Sequence, residues 1–273
     1  MIGRAAFDGL LALCAGIVLA FLALPVVALF TQVPLVRVPH LLGEPAVRQA
    51  LLVTARTTAI ANALFLVIGT PAAYLLATRR FRGRSLLITI VELPLVLPPA
   101  VAGIALLAAA GRGGLFGDAL ANAGIVLPFS QWAVVLAVTF VASPFYVRQA
   151  IGAFEAVDGR LIDAARTLGA SPARTFARVS LPLAASGLAT GWVLAFARGV
   201  GEFGATIVFA GNVRGQTQTL TLAIYDQLEG NFDVAIALGI MLVALSAGVL
   251  LASKLLAARR GSVRRAAPAP AAV

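Results

Sequence analysis

The stretch DAARTLGASPARTFARVSLP, residues 163–182, carries Asp163, Arg166, Arg174 and Arg178 between two long apolar runs. The chain around it has 273 residues, 60% of them hydrophobic and 12% charged, with a mean hydropathy of +0.98. That is more apolar surface than a core of this size can hide from water, so the chain belongs in a bilayer. The fold then turns on how often the chain crosses, and on which side this polar segment falls.

A helix needs about 20 apolar residues to cross ~30 Å of hydrocarbon. Six runs qualify: 9–30, 51–77, 86–110, 132–151, 183–210 and 234–257. The first is longer than the ~7–15 apolar residues of a secretory signal and no small-x-small cleavage site follows, so it reads as a retained helix. Cys14 inside it is the single cysteine, which excludes an intrachain disulfide.

Basic residues set the orientation, because Lys and Arg stay on the cytoplasmic side during insertion. Arg4, then Arg79, Arg80, Arg82 and Arg84, then Arg148, Arg160, Arg166, Arg174 and Arg178, then Lys254, Arg259, Arg260, Arg264 and Arg265 fall on one side. The opposite loops hold Arg37, Arg48, Arg112 and Arg214, and Arg56 and Arg198 lie within spans. Both termini are therefore expected in the cytoplasm. The net charge of +10 needs no nucleic acid to explain it, and the tail ending in APAPAAV is expected to rest on anionic lipid and fray.

Residues 163–182 thus lie in the second and longest cytoplasmic loop. Leu161, Ala165 and Leu168 recur on one helical face, Gly169 suits a left-handed helix end, and Ser171-Pro172 reads as an N-cap followed by proline at the first helical position. Phe176 and Val179 form a second apolar face, and Pro182 closes the segment where the fifth span begins. By periodicity alone, a helix pair lying on headgroups and one docking a protein are equally compatible with this pattern.

The spacing separates them. Asp163-Ala164-Ala165, Gly169 six residues after Asp163, then Val179 and Leu181-Pro182, resembles the EAA loop of ABC importer permeases, E-A-A-x3-G-x9-I-x-L-P, with Asp for Glu and Val for Ile. The stretches 54–87, 92–107, 111–117 (GRGGLFG) and 197–225 are similar to type I, binding-protein-dependent permeases for oxyanions, most of all the molybdate permease branch. The resemblance covers about residues 49–258.

It implies an all-α polytopic fold of six transmembrane helices in a bacterial inner membrane, with a first helix and external loop in 1–48, a permease core in 49–258, and a basic, disordered tail in 259–273. It implies that the loop 155–182, through Asp163, Ala164, Ala165, Gly169, Ser171, Pro172, Leu181 and Pro182, couples to two copies of a cytoplasmic ABC ATPase subunit. A separate extracytoplasmic oxyanion-binding protein would deliver the substrate. No cofactor or metal is implied.

The spans carry their own signals. Pro94, Pro98, Pro99 and Gly103 fall in one span, removing backbone donors; such irregular backbone is tolerated where it is buried in protein or lines a cavity. Packing kink and pore lining both fit, and the resemblance favours the pathway. Arg198 and Glu202, four residues apart, share a helix face and are expected to pair, either as a structural lock or as a gate. Gly201 and Gly204 would let another helix approach, as at a dimer seam. Glu92 and Arg56 read as anchors near the membrane surfaces.

Enzyme chemistry finds no support. The single lysine, Lys254, stands in LLASKLLA, so the phosphate loop of an ATP hydrolase is missing. The single histidine, His40, has no metal-spaced partners and reads as a solvated loop residue. One EAA-like loop and no internal repeat imply that the chain pairs with a second copy, since two ATPase subunits need two docking loops. Sulfate or tungstate in place of molybdate remains open, as do, from other classes, a passive channel and an intramembrane enzyme.

Overall fold

The computed structural model describes residues 4–265, with side chains described for 7–255. Among the described residues the regular structure is helical, with no strand. In chain order the helices are α1 (Arg4–Gln32), α2 (Val38–Leu42), α3 (Pro45–Thr78), α4 (Arg84–Val96), α5 (Pro99–Ala110), α6 (Gly117–Asn122), α7 (Gln131–Glu155), α8 (Gly159–Thr167) and α9 (Pro172–Thr175). A π-helical turn (Phe176–Ser180) then leads into α10 (Leu181–Val200), followed by α11 (Gly204–Ala210), α12 (Leu220–Gly230) and α13 (Phe232–Arg265).

The centre is a pair of parallel helices, α3 and α7. Phe65 stacks on Tyr146 with ring centroids 5.5 Å apart, the hydroxyls of Thr70 and Tyr146 are 2.6 Å apart, and Tyr74 meets Phe154 edge-on at 5.2 Å, so residue numbers rise together along the contact. Gly69 fits there because a Cβ would come within 3.2 Å of Val147. Against this pair α10 runs antiparallel: a Cβ on Gly187 would lie 2.5 Å from that of Ala153, and one on Gly199 3.0 Å from Val138. Small residues hold these helices together because backbones must approach closely where water cannot drive association.

α4 also runs antiparallel to α7, with Arg84 beside Glu155 and Glu92 beside Arg148. α5 continues to the opposite end, where Leu106, Leu107 and Ala110 pack with Val134 and Val135. The segments 79–83 and 156–171 therefore share one end of the bundle. At the other end the N–H of Phe129 donates to the carbonyl of Phe209 at 3.3 Å, and that of Leu220 donates to Thr54 Oγ1 at 2.8 Å.

Five helical segments are long and apolar enough to cross a membrane, and α4 with α5, taken together as one bent pair, makes a sixth candidate span. The expected single kinked span 86–110 is corrected: α4 and α5 meet at a 119° bend. Leu97 precedes Pro98 and Pro98 precedes Pro99, and each is pushed to extended backbone, with ψ of 131° and 136°. The expected span 183–210 is corrected as well. Its helix begins at Pro172 and runs through the π turn to Val200, then breaks at Gly201–Phe203 before α11. Pro182 thus lies within a continuous helix, in the first turn of α10, and is no boundary.

α1 packs against α13 near Leu29 and Val33, and its apolar span has no buried residue, as a lipid-facing helix would. The last helix continues through Arg265, past position 258 where the sequence reading ends the core, so residues 259–265 are helical; residues 266–273 of the expected tail lie outside the described residues.

Candidate functional site

The polar loop is built as its sequence suggests. Asp158 caps α8 by accepting the N–H of Arg160 at 2.9 Å. Gly169 ends it with φ +82°, while the N–H of Ala170 donates to Ala165 and that of Gly169 to Arg166, the paired bonds of a left-handed glycine cap. Ser171 Oγ then accepts the N–H of Arg174 at 3.3 Å, and Pro172 opens the next helix.

α8 buries no residue. Asp163 and Ala164 are exposed, and Leu161 and Leu168 are 48% and 88% exposed, so the apolar face lies open. The segment after it is anchored. Thr175 is buried, and the Phe176 ring lies 4.7 Å from Tyr74 of α3 and 6.2 Å from Phe154 of α7. This aromatic trio joins the loop to both central helices, and the sequence reading missed it because its members are far apart in the chain. Leu181 is half-buried beside it. Between α7, α8 and α10 opens a cleft of about 470 Å³ whose walls include Gln149, Gly152, Asp158 and Ser186.

A second locus lies where the two broken spans meet. A Cβ on Gly103 would fall 2.7 Å from Val208 Cβ, and one on Gly204 would fall 2.7 Å from Pro99 Cβ, so α5 and α11 touch through glycine. The close approach that Gly204 permits is to Pro99 of α5 within the chain. Gly201 is exposed, Pro94 lies within α4, and Pro98 and Pro99 make the bend.

Arg198 and Glu202 do pair, Nη2 to Oε2 at 2.7 Å, as a close charge contact outside hydrogen-bond geometry. Their relation is not a shared helix face. Glu202 lies in the break between α10 and α11, where its Oε1 accepts the N–H of Ala205 at 2.7 Å and its carbonyl accepts the Thr221 hydroxyl at 2.6 Å. The Glu202 side chain is 1% exposed and that of Arg198 27%. A carboxylate at a helix start satisfies a free donor and meets the positive end of the helix dipole, so Glu202 holds three elements at one joint.

Glu92, expected as an anchor, has a partner in Arg148 at 2.6 Å. Arg148, expected in the loop, lies within α7. His40 is exposed in the short α2, and Arg56 is exposed on α3.

The chain is a helical bundle of five to six candidate spans with an open loop keyed into its central helices. Residues 66–262 match the family of the binding-protein-dependent transport system inner membrane component, and the chain belongs to that family. Its relatives put it among the ModB-type permeases of type I ABC importers. It is 46% identical over 237 residues to the molybdenum transport system permease protein ModB of Mycobacterium bovis, covering 87% of this chain and 89% of that one. It is 42% identical over 212 residues to ModB of Escherichia coli strain K12, covering 77% and 93%. Among solved structures, the bacterial alginate ABC transporter in complex with an alginate pentasaccharide-bound periplasmic protein shares the fold, with a TM-score of 0.71 at 17% identity over 93% of this chain and 94% of that one. The chain is a multi-pass inner membrane protein.

Proposed function

We propose that this chain is the translocation subunit of an ATP-driven importer for molybdate, working as a homodimer with two copies of a separate ABC ATPase subunit and an extracytoplasmic oxyanion-binding protein. The observation that carries the reading is the loop: an apolar face on α8 left open, closed by a glycine cap at Gly169, and joined to α3 and α7 through Phe176. An open helix followed at once by a segment seated on both central helices can receive a partner's movement and hand it to the spans.

Asp163, Ala164, Ala165, Gly169, Ser171, Pro172, Leu181 and Pro182 form the docking segment in this reading, and the end bearing segments 79–83 and 156–171 is cytoplasmic, as its arginines require. The two broken spans, with Pro94, Pro98, Pro99, Gly103, Arg198, Gly201, Glu202 and Gly204, are the movable part of the pathway. Substrate identity follows relatives such as the molybdenum transport permeases of Mycobacterium bovis and Escherichia coli, at 46% and 42% identity.

The test is uptake into vesicles carrying the permease, its ATPase and its binding protein, with molybdate, tungstate and sulfate compared. Uptake that requires ATP and favours molybdate is expected. Uptake without ATP would make the chain a passive channel, and preference for sulfate would move it to another oxyanion.

A further inference from the structure

The pair Glu92–Arg148 joins α4 to α7 apart from the docking segment and from the Glu202 joint. Arg148 stands seven residues before the end of α7, about 10 Å along the axis, and Glu92 stands eight residues into the span from Arg84, about 12 Å. The pair is thus roughly two turns deeper than the Arg84–Glu155 pair at the bundle end. Yet it is open, with side-chain exposures of 64% for Arg148 and 34% for Glu92. An ionised side chain at such depth faces protein or a water-filled cavity rather than acyl chains, because hydrocarbon gives it no hydrogen-bond partner.

Its neighbours support a wet surface. The next residue, Gln149, is exposed and packs its Cβ against Gly191 of α10, and Ser186 is exposed on α10. Arg148 and Gln149 thus place two polar side chains side by side on the exposed surface of α7, and Gln149 also lines the 470 Å³ cleft together with Asp158 and Ser186, among small and apolar residues such as Gly152, Ala153 and Leu183. The acid at the mouth of that cleft, Asp158, is engaged at the start of α8 with the backbone N–H of Arg160.

The guanidinium of Arg148 uses Nη1 toward Glu92. Its remaining donors form a planar fork that matches two oxygens of a tetrahedral oxyanion. Glu92 cancels most of the local charge, so an anion would be held weakly enough to leave, as conduction demands. We propose that the groove between α4, α7 and α10 is the inner stretch of the anion route, and that Arg148 contacts the oxyanion in transit while Glu92 orients it. The inference rests on the oxyanion-permease reading. The same chemistry would suit a lipid phosphate, and the experiment separates the two.

In a Cys14→Ser background, Arg148→Cys and Gln149→Cys are placed singly in the full complex with ATPase and binding protein, reconstituted in vesicles. Both are probed with a negatively charged methanethiosulfonate and with a lipid-soluble maleimide. Labelling by the charged reagent, slowed by molybdate during turnover, is expected; labelling by the maleimide alone would assign Arg148 to lipid and overturn the proposal. If Arg148→Cys does not assemble, Gln149→Cys reads the same face.

In a second arm the double variant Glu92→Gln, Arg148→Gln keeps a hydrogen bond and removes both charges. Molybdate uptake should fall roughly tenfold or more, the loss of one charge-assisted hydrogen bond, while the complex still assembles. Wild-type uptake by the double variant would reduce the pair to a structural clasp and overturn the inference. Failure of the unmodified complex to move any oxyanion would instead sink the underlying functional reading, and the labelling arm would still report what Arg148 faces.

Discussion

Phe176 and Tyr74, 102 positions apart in the chain, bring their rings to 4.7 Å and so join the polar loop to a central helix. Replacing Phe176 by Leu keeps apolar volume and removes the ring contact, which is worth about 1 kcal/mol per aromatic pair. The variant should fold and bind the ATPase but transport less molybdate per ATP hydrolysed. Gly169→Pro should act one step earlier, weakening capture of the ATPase while the spans stay folded. Pull-down and the ratio of uptake to hydrolysis check both; an unchanged ratio in Phe176→Leu would remove the trio from the coupling path.

Glu202 is expected to matter more than its charge partner. Arg198→Ala leaves a buried carboxylate that still accepts the Ala205 N–H, whereas Glu202→Ala removes the ion pair and the helix cap together. Breaking a buried pair costs on the order of 3–5 kcal/mol, and losing a cap adds about 1 kcal/mol. Thermal unfolding in detergent should rank Glu202→Ala below Arg198→Ala, and replacing both by apolar residues should restore only part of the loss. Full recovery in the double variant would show that the cap contributes nothing.

Gly103 tests the seam between the broken spans. A methyl there would lie 2.7 Å from Val208 Cβ and 2.9 Å from the carbonyl of Ala205, so α5 or α11 must move. Gly103→Ala should lower stability by about 1–3 kcal/mol, as overpacking does. Gly16→Ala, where nothing lies within 4 Å, should not lower it. Equal melting temperatures for the two variants would deny the tight contact.

Orientation can be read by thiol labelling in a Cys14→Ser background. Cysteine at the exposed positions Ala121 and Phe81, which belong to opposite ends of the bundle, should react differently with an impermeant reagent added outside intact cells. Ala121→Cys is expected to label and Phe81→Cys to be protected. The reverse pattern would turn the bundle over and put segment 156–171 outside.

What could be read along the chain was local. Apolar runs announce crossings, Gly169 and Ser171 are recognisable because a left-handed cap and an N-cap depend on neighbouring residues, and the EAA-like spacing carries the loop's identity. The proline pair at 98–99 signalled a kink, and its sharpness, 119°, depends on how α5 packs against α11. The break at Gly201–Phe203 was hidden, since no proline marks it and it needs Glu202 to cap α11 from the side. Pairings across the fold were hidden for the same reason: Arg148 looked like one more loop arginine until Glu92, 56 residues away, came beside it.

Because α3 and α7 run in the same direction and share the Phe65–Tyr146 and Tyr74–Phe154 contacts, they behave as one strut. In the proposed coupling role, a push at Phe176 would reach both members with the same sign rather than slide one past the other, and the movement would be taken up where the backbone is already interrupted, at Leu97–Pro98 and at Gly201–Phe203. Under the proposed coupling role the chain would separate a stiff transmission axis from two compliant elbows, and a displacement received at one membrane face would be converted to rotation of α5 and α11 near the other.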